Sequence, residues 1–278
     1  MRPRSVERAS RAGFCAGVRR AVGMAQKLIQ DPPGELVMWG ALIHNARVVS
    51  ELEQGGMRVV EDLAELRGGE TVLIRAHGIS PALRRAIQER GCRIVDASCP
   101  FVLKIHDLVS AAAAAGRRVF VTGDPRHPEV QGIVGAAGGA ATVLSSVAEC
   151  EELVPWPGEA VLVSQTTFSV ATFREIATIL AGQIAMLEIF DTICEATENR
   201  QLEAERMAER NDVMLVIGSR TSSNTMKLAE VCRSACRATY LIEDADAVRG
   251  LLSAGAFADR RIGVTAGAST PDSMILEV

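Results

Sequence analysis

Aromatic side chains are scarce in this 278-residue chain: one Tyr, two Trp and seven Phe make up 4% of it. So few rings leave little on which to stack bases or sugars, and they favour a small, polar, non-aromatic ligand. A basic excess is missing too. Thirty Lys and Arg stand against thirty-four Asp and Glu, a net charge of -4. No basic run could neutralise a row of phosphates, which argues against sequence-independent nucleic-acid binding. The longest apolar stretch, Ile176 to Phe190, is interrupted by Thr178, Gly182, Gln183 and Glu188, too short and too polar to span a bilayer. The opening Met-Arg-Pro-Arg-Ser-Val-Glu-Arg lacks the apolar core of a signal peptide, so a reducing, cytoplasmic setting is expected. Seven cysteines, odd in number and without a disulfide framework's spacing, are then core thiols, metal ligands or a nucleophile. A Rossmann fingerprint is also absent: Gly132 to Gly139 is glycine-rich but lacks the G-x-G-x-x-G spacing, so electrons for redox chemistry would come from an external donor.

What is present is an α/β pattern. Apolar runs typical of buried parallel strands occur at Leu36 to Trp39, Thr71 to Ile74, Val119 to Val121, Ala160 to Val163, Val213 to Ile217 and Arg261 to Thr265. Helical periodicity follows Cys15, Cys99 and Cys194, clearest in Val18, Ala21, Val22, Ala25 and in Val102, Ile105, Val109, Ala112. After each of these helices a strand runs into a glycine, and a polar residue follows four positions on: Gly40 to His44, Gly123 to His127, Gly218 to Ser222. His44 stands 29 residues after Cys15, His127 28 after Cys99, and Ser222 28 after Cys194. A second polar strand end closes each copy, at His77 to Ser80, Thr166 to Ser169, and Ser269-Thr270. This is a threefold internal repeat. It predicts three similar small α/β domains, at 14–96, 97–193 and 194–278, with 1–13 packing on the third. Ligands of open α/β sheets bind beyond the carboxyl ends of the strands, so a pseudo-threefold trefoil would turn all six polar loops toward one central cavity.

Such an arrangement would bring Cys15, Cys99 and Cys194 together. Three thiolates suit a 4Fe-4S cluster with one open iron, or a zinc with an open position. Cys92, Cys150, Cys232 and Cys236 fall outside the repeat and are expected in the core. His44, His77 and His127 lie on strand-end loops, whereas His106 lies inside the helix after Cys99 and is expected to be structural. Ser222-Ser223-Asn224 precedes a helical stretch, where hydroxyl, amide and free N–H groups could hold a phosphate. Glu129 follows His127-Pro128; inside a closed cavity its pKa would rise and it could act as a general acid.

Taken in order, Gly-Phe-Cys15-Ala-Gly-Val, Leu-Ile-His44-Asn, Arg-Ala-His77-Gly, Cys99-Pro-Phe-Val, His127-Pro-Glu129-Val, Ser-Gln-Thr166-Thr167, Thr-Ile-Cys194-Glu-Ala-Thr-Glu-Asn-Arg-Gln, Ser222-Ser223-Asn224-Thr and Thr-Ala-Gly-Ala-Ser269-Thr-Pro resemble the 4-hydroxy-3-methylbut-2-enyl diphosphate reductase family. The likeness runs from about residue 12 to the end of the chain. It implies three α/β domains around a 4Fe-4S cluster held by Cys15, Cys99 and Cys194 with one open iron. The implied reaction, the last step of the non-mevalonate isoprenoid pathway, removes the allylic hydroxyl reductively. His44, His77, Ser222, Ser223, Asn224 and Ser269 would hold the diphosphate, with His127 near both diphosphate and hydroxyl. Thr166 and Thr167 would also meet the substrate, and Glu129, His127 and Thr166 would serve proton delivery. A ferredoxin or flavodoxin-type electron donor is implied as partner. The chain departs from the family's usual pattern at Ala41, Ala46, Leu103 and Ser273, none of them a ligand or an acid. A paralogue with the same cluster and another substrate is the alternative enzyme; an iron–sulfur or zinc redox sensor is the non-catalytic one.

Overall fold

Stretches of Val, Ile and Leu buried on both faces form a parallel sheet only if the chain crosses over between strands, and helices make those crossovers throughout. The computed structural model describes residues 3–153 and 155–278. Its strands in chain order are β1 (Ser5–Arg8), β2 (Leu36–Trp39), β3 (Met57–Val60), β4 (Thr71–Ile74), β5 (Arg93–Asp96), β6 (Arg118–Thr122), β7 (Thr142–Leu144), β8 (Trp156–Ser164), β9 (Ile184–Ile189), β10 (Val213–Ile217), β11 (Thr239–Ile242) and β12 (Arg261–Ala266). They form three four-stranded sheets, ordered β3-β2-β4-β5, β7-β6-β8-β9 and β11-β10-β12-β1, every pairing parallel. Spatial order is the same each time, second-first-third-fourth in the order of the repeat. In the last sheet the fourth place is taken by β1 from the start of the chain, which pairs with β12 from Ser5↔Arg261 to Arg8↔Val264. The expectation of three similar α/β sheets therefore holds.

Helices that bear on the site are α1 (Ala16–Gln30), α2 (Ala46–Gln54), α3 (Pro81–Glu89), α4 (Pro100–Ala114), α5 (Pro128–Ala136), α6 (Val147–Glu151), α7 (Val170–Gln183), α8 (Glu195–Arg210) and α9 (Ser223–Ala235). The apolar stretch Ile176 to Phe190 divides into the end of α7 and the whole of β9.

Two compact units arise. One comprises the described residues up to Arg19, Ile43–Ser50 and Glu195–Val278, and carries the third sheet; the other, Arg20–Leu42 and Glu51–Cys194, carries the first two. In the second sheet, alternation along the strands divides the core into two layers. Val119, Val121, Val161 and Val163 pack with Ile105 and Val109 of α4 and Val130 and Ile133 of α5. Phe120, Ala160 and Leu162 face the other way, onto Phe173, Ile176 and Leu180 of α7. Each such aliphatic side chain gains about 1.5–3 kcal/mol on burial. In the third sheet Met214 and Val216 likewise meet Met207 of α8 and Leu228 of α9. Within each sheet the parallel strands end along one edge, and the candidate loops follow those ends.

Candidate functional site

Seven free cysteines sort by position. Cys92, Cys150, Cys232 and Cys236 are buried, and burial pushes the Cys92 and Cys150 thiols up and Cys232 up to about 12, where sulfur is an inert apolar group. Cys15, Cys99 and Cys194 are only half-buried, and each directly precedes a helix, α1, α4 and α8. Pro100 at the first position of α4 fixes that start. Helix starts offer unpaired N–H groups to sulfur, as in the Val18 N–H that reaches Cys15 Sγ at 3.4 Å.

One residue at the end of the third strand of each sheet ties a cysteine into place. Cys15 N–H donates to the Ala268 carbonyl at 3.2 Å, Cys99 N–H to Ala76 at 2.9 Å, and Cys194 N–H to Thr166 at 3.0 Å. The N–H of that same residue donates to the segment after the first strand. Ala76 N–H reaches the Leu42 carbonyl at 3.2 Å, Thr166 N–H reaches Glu129 Oε1 at 2.6 Å, and Ala268 N–H reaches Asn224 Oδ1 at 2.9 Å. The repeat is thus one of hydrogen bonds as well as of chain trace. Glu129 and Asn224 occupy the same place in it, each 30 residues after a cysteine.

In the unit carrying the first two sheets, α5 begins at His127, whose Nδ1 accepts the Glu129 N–H at 3.2 Å. That fixes the neutral imidazole with its proton on Nε2, a donor. The His77 and His127 rings meet edge to face, centroids 5.2 Å apart. Glu129 is only 1% exposed, and burial pushes its pKa up to about 7 against the two Thr166 bonds that favour the carboxylate. Thr166 Oγ1 lies 2.9 Å from Oε2. With Oε1 committed to the Thr166 N–H, the Thr166 hydroxyl donates to Oε2 of the carboxylate, and protonation at Oε2 reverses that bond and turns the threonine proton outward. Carboxyl and hydroxyl are joined by one hydrogen bond along which a proton can pass. Gln165, buried beside them, holds the Asp124 N–H on Oε1 at 3.1 Å and gives Nε2 to Thr167 Oγ1 at 2.9 Å.

In the other unit Ser222 caps α9, accepting the Thr225 N–H at 3.4 Å, and Ser269 Oγ lies 3.2 Å from both Ser222 Oγ and the His44 carbonyl. Ser223 and Asn224 form the first turn of α9. Asn224 is buried; with Oδ1 used by Ala268, its Nδ2 is a donor with no partner among the described residues. A buried amide left so costs about 1–3 kcal/mol unless a ligand accepts from it.

Three further residues matter that the sequence did not single out. Asn45 gives Nδ2 to the Ser269 carbonyl at 3.0 Å and takes the Val48 N–H on Oδ1 at 3.2 Å, so it caps α2 and holds the loop behind His44. Arg200, buried on α8, donates to the Gly13 carbonyl at 2.7 Å, two residues before Cys15. Gln165 is the third. All three stand inside motifs quoted from the sequence, where a polar residue among polar neighbours gives no sign of being buried.

A family model described as LytB protein matches residues 6–278. The 4-hydroxy-3-methylbut-2-enyl diphosphate reductase of Caldanaerobacter subterraneus subsp. tengcongensis is 41% identical over 97% of this chain and 93% of its own. Among solved structures, the E-1-hydroxy-2-methyl-but-2-enyl-4-diphosphate reductase of Plasmodium falciparum superposes with a TM-score of 0.92 at 27% identity, covering 99% of this chain and 86% of that one. A structure of (E)-4-hydroxy-3-methyl-but-2-enyl diphosphate reductase, the terminal enzyme of the non-mevalonate pathway, gives 0.69 at 32% identity, over 99% and 97%.

Proposed function

The chain belongs to the LytB protein family, and we propose on that premise that it removes the allylic hydroxyl of 4-hydroxy-3-methylbut-2-enyl diphosphate at a 4Fe-4S cluster held by Cys15, Cys99 and Cys194. It is an oxidoreductase of isoprenoid biosynthesis by the non-mevalonate route, and the family implies an iron–sulfur cluster. Two electrons and two protons enter, the C–O bond breaks, the oxygen leaves as water and a C–H bond forms, giving isopentenyl or dimethylallyl diphosphate. The domains at 14–96, 97–193 and 194–278 would each contribute one thiol. The donor set fits: these three thiols are half-buried at helix starts with their backbones tied down, while the other four are sealed in the cores. When bound, the cluster supplies the electrons and one open coordination position. A ferredoxin or flavodoxin-type protein in the cytoplasm would reload it.

The observation that carries the reading is the Glu129–Thr166 relay. A carboxyl with its pKa near 7 is half protonated at neutral pH and can give up that proton through the threonine hydroxyl, as a reductive dehydroxylation requires. His127 Nε2–H lends a second donor, set by the bond that Nδ1 accepts. Asn224 Nδ2, Ser222, Ser223 and Ser269, with His44 and His77, supply donors for a diphosphate without a large positive charge, and Thr167 is braced by Gln165 toward the same substrate. A redox sensor would have no use for a buried acid or for anion donors, and the relatives do not favour it.

Anaerobically purified protein is expected to carry about four iron and four sulfide per chain and to reduce the allylic diphosphate with a reduced viologen dye. Cys15→Ser, Cys99→Ser or Cys194→Ser should abolish the cluster; the same change at Cys92, Cys150, Cys232 or Cys236 should spare it. Stoichiometric zinc without sulfide would overturn the assignment.

A further inference from the structure

The glycine-rich stretch that fails as a nucleotide fingerprint has a different use. His106 lies on α4 seven residues after Cys99, two helical turns along, and is buried. A β-carbon on Gly132 of α5 would stand 3.1 Å from its Nε2 and 3.2 Å from its Cε1. A β-carbon on Gly78 would stand 3.2 Å from that same Cε1. Gly78 follows His77 directly, with φ at +72°, and Gly132 is three residues beyond Glu129. One turn further along α5, Gly135 admits Ser80, whose Cβ would lie 2.4 Å from an added β-carbon. A single flat ring therefore fills the gap between the loop that carries His77 and the helix that carries Glu129, and it rides on the helix that Cys99 opens. Its Nε2 has no hydrogen-bond partner among the described residues, so close packing against two bare backbones holds the ring. An aliphatic side chain would fill ordinary core without leaving a ring nitrogen unbonded.

We propose that His106 is a positioning residue, its ring setting the distance between the His77 loop and the Glu129 helix and so aligning the proton relay with the substrate. This rests on the reductase reading. Small misplacements of catalytic groups cost up to about a hundredfold in rate.

The test uses anaerobically purified holoenzyme, with rates expressed per cluster. His106→Ala should keep its cluster, lower kcat ten- to a hundredfold, and leave KM and inhibition by inorganic diphosphate within threefold. Gly132→Ala alone should lower kcat at least tenfold, because its methyl must push the closely packed ring aside by a few tenths of an ångström. Added to His106→Ala it should cost less than twofold. An equal cost of Gly132→Ala in both backgrounds, or a kcat for His106→Ala within twofold of wild type, would overturn the proposal. If the alanine variant loses its cluster, His106→Gln takes its place with the same expected coupling to Gly132. Hydrogen exchange separates the two readings. Wild-type protein that leaves the allylic diphosphate untouched overturns the reductase reading, and the proposal is then decided by exchange at residues 78–80 and 129–135. Loss of protection at both segments in the His106 variant supports it, and unchanged protection at either one overturns it.

Discussion

Glu129 and Asn224 occupy one position in the repeat, and the atom beside their shared acceptor oxygen changes the chemistry. Each stands 30 residues after a cysteine, in the first turn of the helix that follows the first strand of its sheet. Each accepts a backbone N–H from the end of the third strand, at 2.6 and 2.9 Å, and in both cases the carbonyl of that same third-strand residue holds a cysteine N–H. The scaffolding bond is thus shared. What remains is the second atom of the side chain: an oxygen in Glu129, able to carry a proton, and a nitrogen in Asn224, a permanent donor. Burial acts on the two differently. It lifts the carboxyl to about 7, where it can give and regain a proton, whereas it leaves the uncharged amide as a donor in search of an anion. In the first sheet the equivalent bond runs between backbones, Ala76 N–H to the Leu42 carbonyl, and Asn45, also 30 residues after a cysteine, gives its amide to the Ser269 carbonyl instead. The shared frame thus carries a titratable acid in one copy and an amide donor in another, and the proposed division between proton delivery and anion binding rests on that contrast.

The most severe way to break that contrast is Glu129→Gln, which turns the acid into an amide like its counterpart. Oε1 survives to hold the Thr166 N–H, so the cluster and diphosphate binding should persist while turnover falls by about 10² to 10⁴. The measurement is the rate on cluster-replete enzyme beside a spectroscopic titration of substrate; a near wild-type rate would remove Glu129 from the relay. The converse change, Asn224→Asp, keeps the Ala268 bond but replaces the donor with a negative charge facing an anion. The inhibition constant of inorganic diphosphate should rise about a hundredfold, with iron content unchanged, since like charges brought together cost several kcal/mol.

The pH profile sharpens the comparison with a smaller effect. If Glu129 is the proposed general acid, the rate should fall as pH rises through about 7, tenfold for each further unit, and the residual rate of Glu129→Gln should lack that limb. The sign for stability runs the same way. A carboxyl whose folded pKa exceeds its unfolded value contributes stability that is complete below about 4.5 and is lost as pH rises through about 7. Urea unfolding of cluster-free wild type should therefore weaken over that interval by about 3 kcal/mol relative to Glu129→Gln, at 1.36 kcal/mol per pKa unit.

Six of the twelve strands among the described residues were legible in the sequence, and they are the two central strands of each sheet, β2 and β4, β6 and β8, β10 and β12. A strand hydrogen-bonded on both sides and covered on both faces must be apolar at consecutive positions, and Val213–Ile217 reads that way without help. The outer strands β1, β3, β5, β7, β9 and β11 are partly exposed, shorter or more mixed, and β9 in particular follows α7 without a break in composition. Pairing with an inner neighbour made them strands, a tertiary decision. The same division governs the site. Spacing from Cys15, Cys99 and Cys194 was enough to put His44, His127 and Ser222 in register, because a repeat leaves its period in the sequence, and Glu129 stood out by its place after His127-Pro128. No sequence pattern reveals that Thr166 and Ala268 each serve a cysteine and a side chain at once, that Asn45 and Arg200 brace loops far away along the chain, or that His106 fills the gap beside Gly78 and Gly132. Those contacts join segments as far apart in the chain as Cys15 and Ala268, and what a buried polar atom bonds to is fixed only when the chain has folded around it.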